Sequence, residues 1–78
     1  MPTVARIEGF RFFFFSDEGH EPPHIHVESA ECYAKFWLDP VMLADSVGFK
    51  GSDLTRLRKL VAAHAGEFEE KWHEHFTR

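Results

Sequence analysis

One cysteine, Cys32, in 78 residues leaves the chain no intramolecular disulfide, which fits a reducing compartment, so a cytoplasmic setting is expected. Long apolar runs are missing as well. The longest is Phe12 to Phe15, far short of the roughly 20 residues of a membrane-spanning helix, so no membrane partner is expected. No stretch joins a charged start, an apolar run and a small-residue cleavage site, so no secretory leader is expected. Basic excess is absent too, since nine Lys and Arg face thirteen Asp and Glu for a formal charge of −4. Nucleic-acid binders usually carry a net basic face. Such a partner would have to be recognised by local geometry against this balance and is not the favoured class. No repeat, linker or low-complexity tract is visible, and a chain this short buries only roughly 60% of its unfolded surface. A single domain over residues 1–78 follows.

What the chain has in quantity is phenylalanine, nine residues in a sequence that is 44% hydrophobic, which excludes the disordered class. The pattern changes once. Thr3 to Ile7 alternates as a strand, with Val4 and Arg6 on one side and Thr3, Ala5 and Ile7 on the other, and Gly9 permits a turn. Phe10 to Phe15 reads as a second strand, with Phe10, Phe12 and Phe14 opposite Phe13 and Phe15. Both of its faces are aromatic, so Phe12, Phe13, Phe14 and Phe15 are candidates for a partner surface. A polar connection from Ser16 ends in Pro22-Pro23, which hold the chain extended as it re-enters the sheet. A third strand, His24 to Glu28, points His24, His26 and Glu28 to one face. Cys32 to Leu38 is a fourth strand, and Val41 to Leu43 a short fifth after the Asp39-Pro40 turn.

The second half changes period. Ser52 is a good N-cap and Asp53 suits a helix N-terminus, with Leu54, Leu57, Leu60, Val61 and His64 at helical spacing. Phe68, Trp72 and Phe76 continue the stripe. One straight helix from Ser52 to Phe76 would span about 37 Å, against a domain diameter near 30 Å for a radius of gyration of about 11.5 Å. A break is therefore expected around Ala63-His64-Ala65-Gly66. The predicted class is α+β, a mainly antiparallel sheet of three to five strands followed by two C-terminal helices packed on one face.

The chemically suggestive segment is His20-Glu21-Pro22-Pro23-His24-Ile25-His26. Residues two apart on a strand share a face, so His24 and His26 could chelate one divalent ion, with His20 or Glu28 completing the set. With a single cysteine there is no thiolate cage, and a simpler alternative has one ring bonded to a carbonyl or carboxylate at the sheet edge. A third reading is an acid–base pair with Arg6 or Lys35 steadying a phosphate, as in ribonuclease chemistry. His73 and His75 flank Glu74 and read as solvent-exposed. The cations Arg56, Arg58 and Lys59 read as a solvated helix surface.

Several of these features occur together in one known family. The start Met1-Pro2-Thr3-Val4-x-Arg6, the Phe-rich second strand, Pro22-Pro23-His24-Ile25-His26-Val27 and Trp72 resemble the small bacterial proteins grouped as domain of unknown function 4160, over nearly the whole chain. The resemblance implies a β-rich first half and a helical second half, and a gene neighbourhood like that of toxin–antitoxin modules. It brings no activity. The family motif falls on Arg6, Pro22, Pro23, His24 and His26. The expected function is a non-enzymatic protein-interaction module, one component of a toxin–antitoxin-type pair, acting through a protein partner or as a homo-oligomer and without a cofactor. The alternative is a small histidine-dependent ribonuclease or metal-binding protein using the same segment.

Overall fold

A computed structural model describes residues 3–76. Met1 and Pro2 of the N-terminal motif lie outside them. Five strands, β1 (Thr3–Ile7), β2 (Phe10–Phe13), β3 (His24–Ser29), β4 (Cys32–Leu38) and β5 (Val41–Val47), precede two helices, α1 (Gly51–Ala63) and α2 (Ala65–Phe76). The strands form one antiparallel meander in sequence order. This is the α+β class expected from the single change of period.

The first hairpin closes on two residues between Ile7 and Phe10, with Glu8 at φ 53° and Gly9 at φ 86°. Left-handed backbone at both central positions matches the right-handed twist of the strands it joins, and glycine adopts it without strain. The register of β1 against β2 shifts between Thr3 and Ala5. That irregularity breaks the expected alternation, so Val4 packs on the core together with Ala5 and Ile7.

One face of the sheet carries the core. Phe10 and Phe12 of β2, Ile25 and Val27 of β3, and Ala34, Phe36 and Leu38 of β4 are buried against Leu57 and Val61 of α1 and Phe68 and Trp72 of α2. Phe12 meets Phe68 at a ring separation of 5.2 Å, and Trp72 meets Phe14 at 5.4 Å and Phe76 at 4.2 Å. Helix α1 lies over β4 and β5, and α2 over β3 and β4. The helical stripe breaks at His64, whose N–H donates to both Leu60 and Val61 carbonyls.

Four boundaries differ from the sequence reading, the smallest being the third strand, which runs one residue further to Ser29. The second strand ends at Phe13, where pairing with β3 ends at His26, so Phe14 and Phe15 lead out into the connection. The fifth strand runs on to Val47 because β4 offers a full-length edge, and the ladder carries Ala44, Asp45 and Ser46 despite their poor strand propensity. The first helix is capped by Lys50 in extended conformation with no side-chain cap, so Ser52 lies inside it. The expected partner surface is also corrected. Phe12 and Phe14 are buried under the helices and Phe13 is buried on the other face, which leaves only Phe15, 37% exposed, with surface to offer.

Trp72 is 3% exposed within the core shared by the helices and the sheet. Trp72→Ala is expected to cost about 3–5 kcal/mol through lost transfer energy and the cavity left behind. Urea melts of variant and parent with coincident midpoints would show that the stripe does not carry the core.

Candidate functional site

The helices leave the second face of the sheet uncovered, and alternation sends His24, His26 and Glu28 of β3 to it. Across the ladders His24 stands opposite Trp37, His26 lies between Phe13 and Lys35, and Glu28 lies between Arg11 and Tyr33. The chain between β2 and β3, residues 14–23, folds back over this face. It is turned by a hydrogen bond from the Phe15 N–H to Glu18 Oε1 (3.0 Å) and by another from the Glu21 N–H to the Glu18 carbonyl (3.0 Å). Gly19 permits the approach of α2, since a Cβ there would lie 2.6 Å from Phe76 Cδ1. Pro22-Pro23 then brings the chain straight into β3, and the Pro23 carbonyl accepts the Leu38 N–H.

This path delivers the Glu18 carboxylate between the two imidazoles. Its oxygens lie 2.8 and 2.9 Å from His26 Nε2, and Oε1 lies 3.0 Å from His24 Nε2. His26 Nδ1 meets the Tyr33 hydroxyl at 2.8 Å, and His24 Nδ1 meets the Pro22 carbonyl at 3.0 Å. The relative exposures of His24 and His26 are 0% and 3%. Aromatic rings surround both imidazoles. Phe13 stacks on His26 at 5.4 Å and Phe15 meets it edge-on at 4.9 Å, while His24 lies 5.5 Å from Trp37 and 4.7 Å from Trp72.

Burial alone would raise the Glu18 carboxyl pKa, but the Phe15 amide and then the His26 imidazole lead the interactions that overcome it and hold the group below the usual carboxylate value. Burial pushes His26 below the usual histidine value, with Glu18 countering part of the effect. A neutral His26 therefore donates from Nε2 to Glu18 and accepts the Tyr33 O–H at Nδ1. Burial, then the negative charges of Asp45, Glu18 and Glu21, keeps the Tyr33 phenol protonated by raising its pKa.

The remaining sequence candidates divide sharply. Pro22 contributes the carbonyl that orients His24. His20 is exposed beside Glu21 and stays outside the group. Glu28 pairs with Arg11 at 2.6 Å instead of completing a ligand set, and Lys35 pairs with Glu21 at 2.9 Å and lies over Trp37. Arg6 is exposed on β1, away from the imidazoles. Sequence reasoning missed Glu18 and Tyr33. Tyr33 was legible as a β4 residue two positions from Lys35 on the same face, whereas Glu18 reaches His26 only through the loop's return. His75 is only partly exposed and lies 5.2 Å from the Phe14 ring, so of the pair with His73 only His73 is fully solvated.

As chemistry, the group offers three donor atoms, from Glu18, His24 and His26, all within 4.8 Å of one another. It offers little room for a substrate. A cavity of about 330 Å³ lies elsewhere, lined by Thr3, Val4, Phe14, Lys71, Glu74 and His75.

Among known families, the model described as Domain of unknown function (DUF4160) matches residues 9–73. No curated protein and no solved structure matches the chain.

Tyr33→Phe tests how tightly the group is built. It removes the only partner that His26 Nδ1 has among the described residues, and an unsatisfied buried acceptor costs roughly 1–3 kcal/mol. Denaturant melts of Tyr33→Phe are expected to show that loss; an unchanged midpoint would mean that water reaches the ring.

Proposed function

The chain belongs to the DUF4160 family, whose description names no activity, and on that premise we propose that it is a non-enzymatic protein-interaction module that accepts an extended segment of a partner along β5. The observation that carries this reading is the character of that edge. β5 pairs with β4 on one side only, and it presents Met42 and Val47, 55% and 61% exposed, beside Leu43. Edge strands are commonly blunted by lysine or proline. The sequence Val41-Met42-Leu43-Ala44-Asp45-Ser46-Val47 has neither, and its protection is limited to Asp45 and the irregularity opposite Lys35 and Phe36. Strand addition uses the free backbone groups for affinity and alternate side chains for selectivity. Met42 and Val47 share the open face with Trp37 and Tyr33, which supports a partner strand with apolar residues at alternate positions. The finer reading, in which that partner is the other half of a toxin–antitoxin-type pair, rests on the resemblance of the motif residues.

The ribonuclease alternative draws less support. Acid–base cleavage needs imidazoles within hydrogen-bond reach of a phosphate, and those of His24 and His26 are enclosed by protein.

Met42→Lys with Val47→Lys places charge on the edge without touching the core. In native-level pull-downs of the full chain and in sedimentation equilibrium at micromolar concentration, the double variant is expected to lose at least tenfold of partner or self-association while melting as the parent does. Association of the parent that survives both lysines unchanged would refute the β5 reading.

A further inference from the structure

Pro22 offers His24 a carbonyl oxygen, which can only accept, so His24 Nδ1 carries a proton. In the neutral ring Nε2 then presents a lone pair. That atom is fully buried and has no hydrogen-bond partner among the described residues, although Glu18 Oε1 lies 3.0 Å from it. Two electron-rich atoms facing each other at this distance inside a protein repel unless positive charge sits with them. The same carboxylate reaches His26 Nε2 at 2.8 Å, so one oxygen serves both rings.

We propose that Glu18, His24 and His26 bind a divalent transition ion, zinc by preference, which clasps the loop of residues 14–23 onto β3. Metal–nitrogen and metal–oxygen bonds of about 2.0–2.2 Å set donor atoms roughly 2.9–3.5 Å apart at angles between 90° and tetrahedral. The separations of 2.8 and 3.0 Å from Glu18 Oε1 to the two Nε2 atoms fall on either side of the lower limit of that range, and all three donors lie within 4.8 Å of one another, so modest side-chain adjustment converges them on one ion. A ligating imidazole is ordinarily held through its other nitrogen. Here both are held, His24 Nδ1 by the Pro22 carbonyl and His26 Nδ1 by the Tyr33 hydroxyl. The hydroxyl can donate or accept, so it accommodates the shift of the His26 proton from Nε2 to Nδ1 that ligation requires.

The donor set also selects the ion. Two imidazoles with one carboxylate suit zinc and its neighbours, whereas calcium and magnesium favour oxygen alone. Three protein donors leave a position for water, as in reactive zinc centres, but Phe13, Phe15, Trp37 and Trp72 enclose these rings. The bound ion is therefore structural.

The test uses the full chain without a histidine tag, freed of metal by chelation and titrated with zinc. One equivalent is expected to bind and raise the melting temperature, as binding to the native state alone requires. Glu18→Gln and His26→Gln should each weaken binding at least tenfold, while His20→Ala leaves it unchanged. Long-range proton–nitrogen NMR spectra of the parent keep the proposal falsifiable if a variant fails to fold, because zinc should shift the Nε2 resonances of His24 and His26. Absence of stoichiometric binding, binding that survives Glu18→Gln, binding lost in His20→Ala, or Nε2 resonances that do not move would each overturn it.

Discussion

Two helices cover one face of the five-stranded sheet, so most side chains that alternate to the other face have to be accommodated without them. A two-layer domain often leaves such a face polar and solvated. Here the connection between β2 and β3 covers part of it, and the Glu18 carboxylate anchors the loop to the imidazoles while Glu21 pairs with Lys35. Glu18 ties the loop to the buried His26, while Phe15 lies against the same imidazole. The rings of Phe13, His26 and Tyr33 stack in sequence across three neighbouring strands. This arrangement explains why β2 carries phenylalanine on both faces without presenting Phe12, Phe13 or Phe14 to solvent.

Much of the architecture was legible because period-2 and period-3.6 patterns report directly on burial. The β4 pattern Cys32 to Leu38 holds to the residue, with Ala34, Phe36 and Leu38 turned to the core, and the helical stripe from Leu57 to Trp72 breaks in the expected region. Where neighbours override local preference, the sequence alone misleads. Ala44-Asp45-Ser46 looks like a turn until β4 is beside it, and Val4 would alternate away from the core were the β1 register continuous. The site divides along the same line. His24 and His26 share a face because they share a strand, which spacing reveals. Glu18 joins them through a loop path fixed by the Phe15 amide, Gly19 and the two prolines, and no periodicity encodes such a path.

The imidazole group and the free edge are not independent parts of the surface. Strand β4 separates them, and its open-face residues touch both: Tyr33 pairs with Val47 across one ladder and bonds His26 through its hydroxyl, while Trp37 pairs with Met42 and packs on His24. Lys35, opposite Asp45, pairs with Glu21 of the covering loop. One strand thus touches both the covering loop and the outer edge.

The contact of Gly19 with Phe76, together with that of His24 with Trp72, joins the loop over the imidazoles to the far end of α2. The ladders from β1 to β5 can pair as each strand leaves the ribosome, since every hairpin is local in sequence. The environment of His24 cannot. It joins residues 19 and 24 to residues 76 and 72, contacts far apart in sequence whose loop closure is slower than that of local hairpins, so the shielded face is the last to be completed.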